Sequence, residues 1–354
     1  MGKILYMGYN GYGHVNPSLS LVKSLVDNGN EVIYLNSKEF KNIIEQTGAK
    51  YVRNRFLDLL YEIADMESVK MEKMTEEEYF CGVENFYGQL GNILKILLEL
   101  KKVIVSMNPD LILYDSSAKI VGYFCSDLKI PRVCVFTFFA TNKEMMLKDE
   151  RLWAEFQHCV MSSPMKSVLD RVECMAKKGE KKYGFYYDNL DMEESKCSMN
   201  LVFTSRQFQP YHDCLDDSYY YIGNDTSFRR SMEETFIIDS YYEKKILLSF
   251  GSILCGKNEY IKFYQDFMDY FKNYPACFIL NIGKMDEHSF SHVPDNFKLV
   301  HHIPQLTVLA QVQDMDELLY KPEYKENLKK LAQSYKNTGM NEYAVKLIEE
   351  YMYA

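Results

Sequence analysis

The sequence predicts an α/β protein built of two Rossmann-like, doubly wound domains facing across a cleft. Three observations predict it. A strand, a glycine-rich turn, a helix and a second strand open the chain, and a second strand–helix series starts at Lys245. Between the two series, 223–243 is polar and turn-rich, with Asn224-Asp-Thr-Ser and Arg229-Arg-Ser. Alternating strand and helix requires a mostly parallel sheet covered on both faces. The expected organisation is an N-terminal domain over 1–222, a linker over 223–243 and a C-terminal domain over 244–354 that carries the terminal helices.

Each element follows from its pattern. Lys3-Ile-Leu-Tyr-Met7 is a short apolar run of the kind a buried parallel strand needs. Gly8-Tyr-Asn-Gly-Tyr-Gly-His14-Val-Asn-Pro17 comes next, and apolar residues at 19, 21, 22, 25 and 26 have helical spacing. Asn16 and Pro17 read as an N-cap and first-turn pair. Asn28-Gly-Asn30 makes a turn into a second strand at 31–35, giving a βαβ unit with a right-handed crossover. A long helix is expected over 79–105. After Pro109, Asp110-Leu-Ile-Leu-Tyr-Asp115 is a buried-strand pattern ending in an acid. A helix over 118–128 and a strand over 132–136 repeat the unit. Residues 141–196 are polar, helical and aromatic-rich without a strand pattern, and strands at 201–204 and 219–222 close this half. In the second half a strand runs into Gly251-Ser252, a helix covers 260–270, and strands lie at 277–282 and 297–301. From Asp314 onward the pattern is helical and highly charged.

Composition excludes several function classes. At 354 residues, the chain has room for two domains of about 150 each. The 41 Lys and Arg against 50 Asp and Glu give a net charge of −9 with no basic stripe, which argues against nucleic acid or an anionic membrane as partner. The nine cysteines are scattered and form no C-x-x-C, so the expectation is small buried apolar side chains in a reducing, cytoplasmic setting. The longest uncharged apolar run, 133–140, falls far short of the roughly 20 residues a membrane span needs. No signal peptide is expected, because a strand-like run already begins at Lys3.

Two side chains stand where open α/β sheets bind ligands, past the ends of parallel strands. His14 lies on the first strand-to-helix turn, where an imidazole titrating near neutrality can take a proton. Asp115 ends a later strand, where a carboxylate behind the ring fixes its tautomer. The competing roles are a loop histidine bonded to backbone and an acid capping the next helix. Gly251-Ser252 opens a helix whose free N–H groups and dipole suit a diphosphate, or Ser252 is simply an N-cap. His301 and His302 read as structural, with no metal-ligand spacing around them. The aromatics of 79–87 and 136–139 could line a pocket, but most read as core.

Gly11-Tyr-Gly13-His14-Val-Asn-Pro17, Tyr114-Asp115, Ser249-Phe-Gly-Ser252 and His302-Ile-Pro-Gln305, in that order, resemble the UDP-glycosyltransferases, with the bacterial macrolide-type branch the nearest match. The likeness runs from residue 1 to about Gln311. It implies the GT-B fold, with an acceptor domain followed by a UDP-sugar domain. It also implies transfer of a hexose, with inversion, to a hydroxyl of a small, largely apolar acceptor such as a macrolide or other natural product. UDP-sugar would be a co-substrate; no cofactor and no metal would take part. His14 would be the general base and Asp115 would accept its hydrogen bond and stabilise the protonated ring. Gly13 and Asn16 would lie on the acceptor-side loop. Gly251 and Ser252 would face the diphosphate, and Ile303 and Gln305 the uracil.

The chain departs from the family pattern after Gln311. The family's His-Gly-Gly strand end, its phosphate-gripping helix and its Asp-Gln pair have no counterpart; neither Gly-Gly nor Asp-Gln occurs anywhere in the sequence. The 69 residues of 245–313 suffice for about two βα units at roughly 30 residues per βαβ. The C-terminal domain is therefore expected to be truncated. The alternative to an active transferase is a degenerate pseudo-enzyme that binds a small molecule or partner without sugar transfer.

Overall fold

The computed structural model describes residues 1–56, 74–151, 154, 159–187, 197–251, 258–312 and 322–353. Ser252, Cys255 and the stretch 313–321, which the sequence reading singles out, lie outside the described residues. Two compact units emerge, Met1–Asp225 with Leu331–Ala354, and Thr226–Lys330.

The strands of the first unit are β1 (Lys3–Met7), β2 (Glu31–Asn36), β3 (Lys50–Arg53), β4 (Met74–Thr75), β5 (Leu111–Asp115), β6 (Arg132–Phe136), β7 (Cys159–Val160), β8 (Asn200–Val202) and β9 (Tyr219–Tyr221). Seven of them form one all-parallel sheet in the order β3-β2-β1-β5-β6-β8-β9. Because side chains alternate across a strand, the two faces are covered by different helices. Leu5, Met7, Ile33 and Leu35 pack with Ile93, Leu97, Leu100 and Ile104 of helix Glu76–Met107. Tyr6 and Tyr34 point the other way, with rings 4.5 Å apart, and the Tyr34 hydroxyl bonds Ser18 of helix Tyr12–Asp27 at 2.7 Å. The chain order reverses between β1 and β5, which pair with Met7 opposite Tyr114.

Four local readings are corrected. The first helix starts at Tyr12, with extended Gly11 as its N-cap and Pro17 inside it, rather than at Asn16. The Gly11 carbonyl accepts from the N–H groups of both His14 and Val15, and burial of Val15 and Ser18 draws the helix back by a turn. β3 went unrecognised because it is an edge strand with charged ends, a form that protects an open sheet edge. The 141–196 stretch contains a two-residue strand, β7, which pairs with β4 in a separate small sheet. The chain from Leu331 to Ala354 belongs to the first unit, not to a domain over 244–354. Helix Met340–Tyr353 buries Ala344, Val345, Ile348 and Met352 and packs on helix Tyr12–Asp27. Its Glu349 carboxylate accepts from the Asn28 and Asn30 amides at 2.7 and 2.9 Å. Upstream, Ser334 bonds Ser205 and the Tyr335 hydroxyl meets Thr204, at 2.7 and 2.8 Å. Gly223 makes that approach possible, because at φ 67° a Cβ there would be strained and would sit 2.7 Å from Thr338 Oγ1.

The second unit has three parallel strands among its described residues, β10 (Lys244–Ser249), β11 (Ala276–Asn281) and β12 (Phe297–Val300), in that spatial order. Helix Ile261–Phe271 connects the first two and buries Tyr264 and Met268 against Phe278, which stacks on Phe297 at 4.7 Å. The opposite face carries Ile238, Cys277, Ile279, Ile303 and Val308.

Helix Glu76–Met107 begins with a capping box between Thr75 and Glu78, and its first residue ties down a distant segment. The Glu76 carboxylate accepts from the N–H and hydroxyl of both Ser162 and Ser163 at 2.7–2.8 Å. The serine hydroxyls, followed by the backbone N–H groups, hold its pKa down at about 2. A carboxyl whose folded pKa is depressed contributes stability in full above the unfolded value, and that contribution is lost as pH falls toward the folded one. Acid titration of thermal midpoints from pH 6 to about pH 2 should therefore lower the wild type more than Glu76→Gln, the two curves converging at the acid end. Parallel curves would show that the clasp adds nothing.

Candidate functional site

β1 and β5 are adjacent, and the chain turns away from them in opposite directions, the place where open α/β sheets bind ligands. His14 stands on the first turn of the helix that follows β1, and Asp115 is the last residue of β5. The structure brings them together: His14 Nδ1 lies 3.0 and 3.2 Å from the two Asp115 oxygens. The carboxylate is 1% exposed and the imidazole 21%, so a buried anion is paired with a ring that still reaches the surface. Asp115 Oδ1 also accepts from the Ser117 N–H at 2.8 Å. Carboxylate oxygens only accept, so Nδ1 carries the hydrogen of the neutral ring. Nε2, for which no hydrogen bond occurs among the described residues, is left with its lone pair. Tyr9 and Phe138 flank the ring, with centroids at 4.7 and 5.7 Å.

Thr137 is the site residue that sequence reasoning missed. It directly follows β6, the strand beside β5, and its Oγ1 is 3.1 Å from His14 Nδ1 and 3.5 Å from Asp115 Oδ2. Its position past a parallel strand end was a readable signal, but a lone Thr inside the apolar run 133–140 reads as core. Beneath the pair, burial above all pushes the phenols of Tyr6 and Tyr34 upward, so both remain neutral props. Gly13 is exposed beside His14 with open space around it, and Asn16 is half-buried two residues on.

The remaining expected site residues lie in the second unit. Gly251 follows β10 at φ 72°, a conformation that favours glycine, and is exposed; its partner Ser252 lies outside the described residues. Gln305 is exposed at the start of helix Gln305–Leu309. Ile303 departs from the expected contact, because its side chain is buried with Ile279 and Val308 and only its backbone could meet a ligand. Glu233, unread in the sequence, accepts from the Leu306 and Thr307 N–H groups at 3.1 and 2.8 Å. His301 is structural, bonded to the Gly283 carbonyl and to Glu287. Among the described residues no group of three His, Cys, Asp or Glu side chains could hold a metal ion, and no helix is long and apolar enough to cross a membrane.

A seven-stranded parallel sheet with a His–Asp pair at its switch point, and a second parallel-sheet unit, match the GT-B fold. The solved glycotransferase of kitacinnamycin has the same fold, with a TM-score of 0.71 at 19% identity over 99% of this chain and 98% of its own. NDP-glycosyltransferase YjiC of Bacillus subtilis (strain 168) is 26% identical over 302 residues, 85% of this chain and 70% of the relative. Oleandomycin glycosyltransferase of Streptomyces antibioticus is 24% identical over 303 residues, 85% of this chain and 66% of that protein. No protein-family model matches. The chain is similar along most of its length to bacterial NDP- and UDP-glycosyltransferases.

The strand end that presents His14 tolerates no side chain at Gly8, where a Cβ would fall 2.5 Å from the Tyr34 ring and 2.6 Å from Asn36 Nδ2. Tyr34 is fully buried and cannot move aside. Gly8→Ala should lower stability by about 1–3 kcal/mol in denaturant titration, and an unchanged midpoint would contradict this packing.

Proposed function

We propose that this chain transfers a sugar from a UDP-sugar to a hydroxyl of a small, largely apolar natural-product acceptor, with inversion and without a metal ion. The His14–Asp115 pair with its unengaged Nε2 carries this reading. The names of the relatives, NDP-glycosyltransferase and oleandomycin glycosyltransferase, support the same chemistry. In the proposed step, Nε2 takes the acceptor O–H proton as that oxygen attacks the anomeric carbon from the face opposite the diphosphate. The bond from the anomeric carbon to the UDP oxygen breaks with its electron pair on UDP, so one displacement inverts the centre. Asp115 offsets the positive charge that develops on the ring. Gly13 and Asn16 would border the acceptor. Gly251, Ser252, the Ile303 backbone and Gln305 would hold the nucleotide, making the first unit the acceptor side and the second the donor side.

A second reading, a binding protein without turnover, is favoured by one observation. The sequence has no Gly-Gly after Gln311, and the second unit's sheet has only three strands among the described residues. Calorimetric titration of the whole chain with UDP separates the two. Micromolar binding, about −8 kcal/mol, is expected of the transferase, while folded protein that gives no heat at millimolar UDP would favour the binder. In the transferase, His14→Ala should cut turnover by about 10²–10⁴-fold with the fold intact; retained turnover would remove the proposed base.

A further inference from the structure

We propose that Thr137 is a positioning residue whose hydroxyl pins the orientation of the His14 ring, already Nδ1-protonated beside Asp115, with Nε2 directed at the acceptor. This deepens, and rests on, the base role proposed for His14. The argument is one of donors and acceptors. Asp115 presents two oxygens to Nδ1 at 3.0 and 3.2 Å, and both can only accept. With the hydrogen on Nδ1, Thr137 Oγ1 at 3.1 Å meets an N–H and must offer it a lone pair. The Thr137 hydrogen is then free to turn to Asp115 Oδ2, 3.5 Å away, a long bond that shortens with a small rotation. Ring, hydroxyl and carboxylate close a circuit in which each group fixes the direction of the next.

The circuit does what Asp115 alone does not. Two nearly equal oxygens on one side of Nδ1 let the ring pivot between them, whereas a third acceptor from β6 pins it. Tyr9 and Phe138 hold the ring's flanks. Valine keeps the branched shape of threonine and removes the hydroxyl, while serine keeps the hydroxyl and removes the methyl. The pair therefore separates hydrogen bonding from packing.

The test combines kinetics with nitrogen-15 NMR of histidine-labelled protein, taken about two pH units above the ordinary imidazole range. The His14 signals are assigned by their loss in His14→Gln. Thr137→Val should lower kcat by about tenfold with acceptor KM nearly unchanged. Thr137→Ser should stay near wild type. In the spectrum, all three should show Nδ1 protonated, with a single sharp Nδ1 signal in wild type and Thr137→Ser and a shifted, exchange-broadened one in Thr137→Val. A Thr137→Val protein with a wild-type Nδ1 signal and kcat overturns the proposal, as does Thr137→Ser failing equally. An effect confined to donor KM also overturns it, by assigning Thr137 to the sugar. If wild type transfers no sugar, the base reading fails by itself and the Nδ1 line shapes alone decide the role of Thr137.

Discussion

The buried carboxylate of Asp115 constrains everything around it. A charge almost wholly removed from water must be matched by hydrogen bonds, since an unmatched buried ion costs several kcal/mol. The matching groups come from three separate places in the chain: the imidazole of His14, the N–H of Ser117 and the hydroxyl of Thr137. None of these can be supplied unless β1, β5 and β6 lie side by side in parallel with their ends level. The site is thus a consequence of strand order, and the strand order is held in place by what the site requires.

Packing makes that arrangement rigid. Alternation along β1 sends Leu5 and Met7 to one helix layer and Tyr6 to the other, so the strand is clamped from both faces. Tyr6 and Tyr34 fill the space under the His14 helix, and the Tyr34–Ser18 bond fastens that helix to the sheet. The absence of a side chain at Gly8 lets the chain leave β1 against Tyr34 and rise into the helix at Tyr12. His14 is therefore carried on a helix rather than on a loop, which suits a group that must hold one orientation.

The second unit shows what a small parallel sheet needs. Its core leans on aromatic contacts, with Phe267, Phe278 and Phe297 in mutual contact and Tyr264 against Phe290. Such rings supply much buried area per residue where strands are few. Glu233 closes the start of helix Gln305–Leu309 by accepting from its free N–H groups. The final helix, Met340–Tyr353, contributes to the other unit, where Glu349 gathers the amides of Asn28 and Asn30.

Much of this was legible in the sequence. The uninterrupted apolar runs of β1, β5 and β6 announce buried parallel strands because both faces of such strands must be covered. The glycine-rich turn and the strand-end acid mark His14 and Asp115 for the same reason that ligands gather at strand ends. Local pattern governs such features, and a pattern in one stretch of chain is enough to read them. Other features depend on what lies far away in sequence. Thr137 counts as core or as site according to which strand neighbours β6, and Ile303 faces inward because Ile279 and Val308 receive it. The first helix starts early because Val15 and Ser18 find a sheet to pack on. The apolar face of helix Met340–Tyr353 is evident from its periodicity, but periodicity does not name the partner. That partner is helix Tyr12–Asp27, more than 300 residues earlier. The sequence by itself determined the buried central strands and the alternation, through the period of its apolar residues, and the strand-end places of His14 and Asp115. Tertiary structure alone decided which elements meet, because burial rewards whichever surfaces fit, irrespective of their separation along the chain.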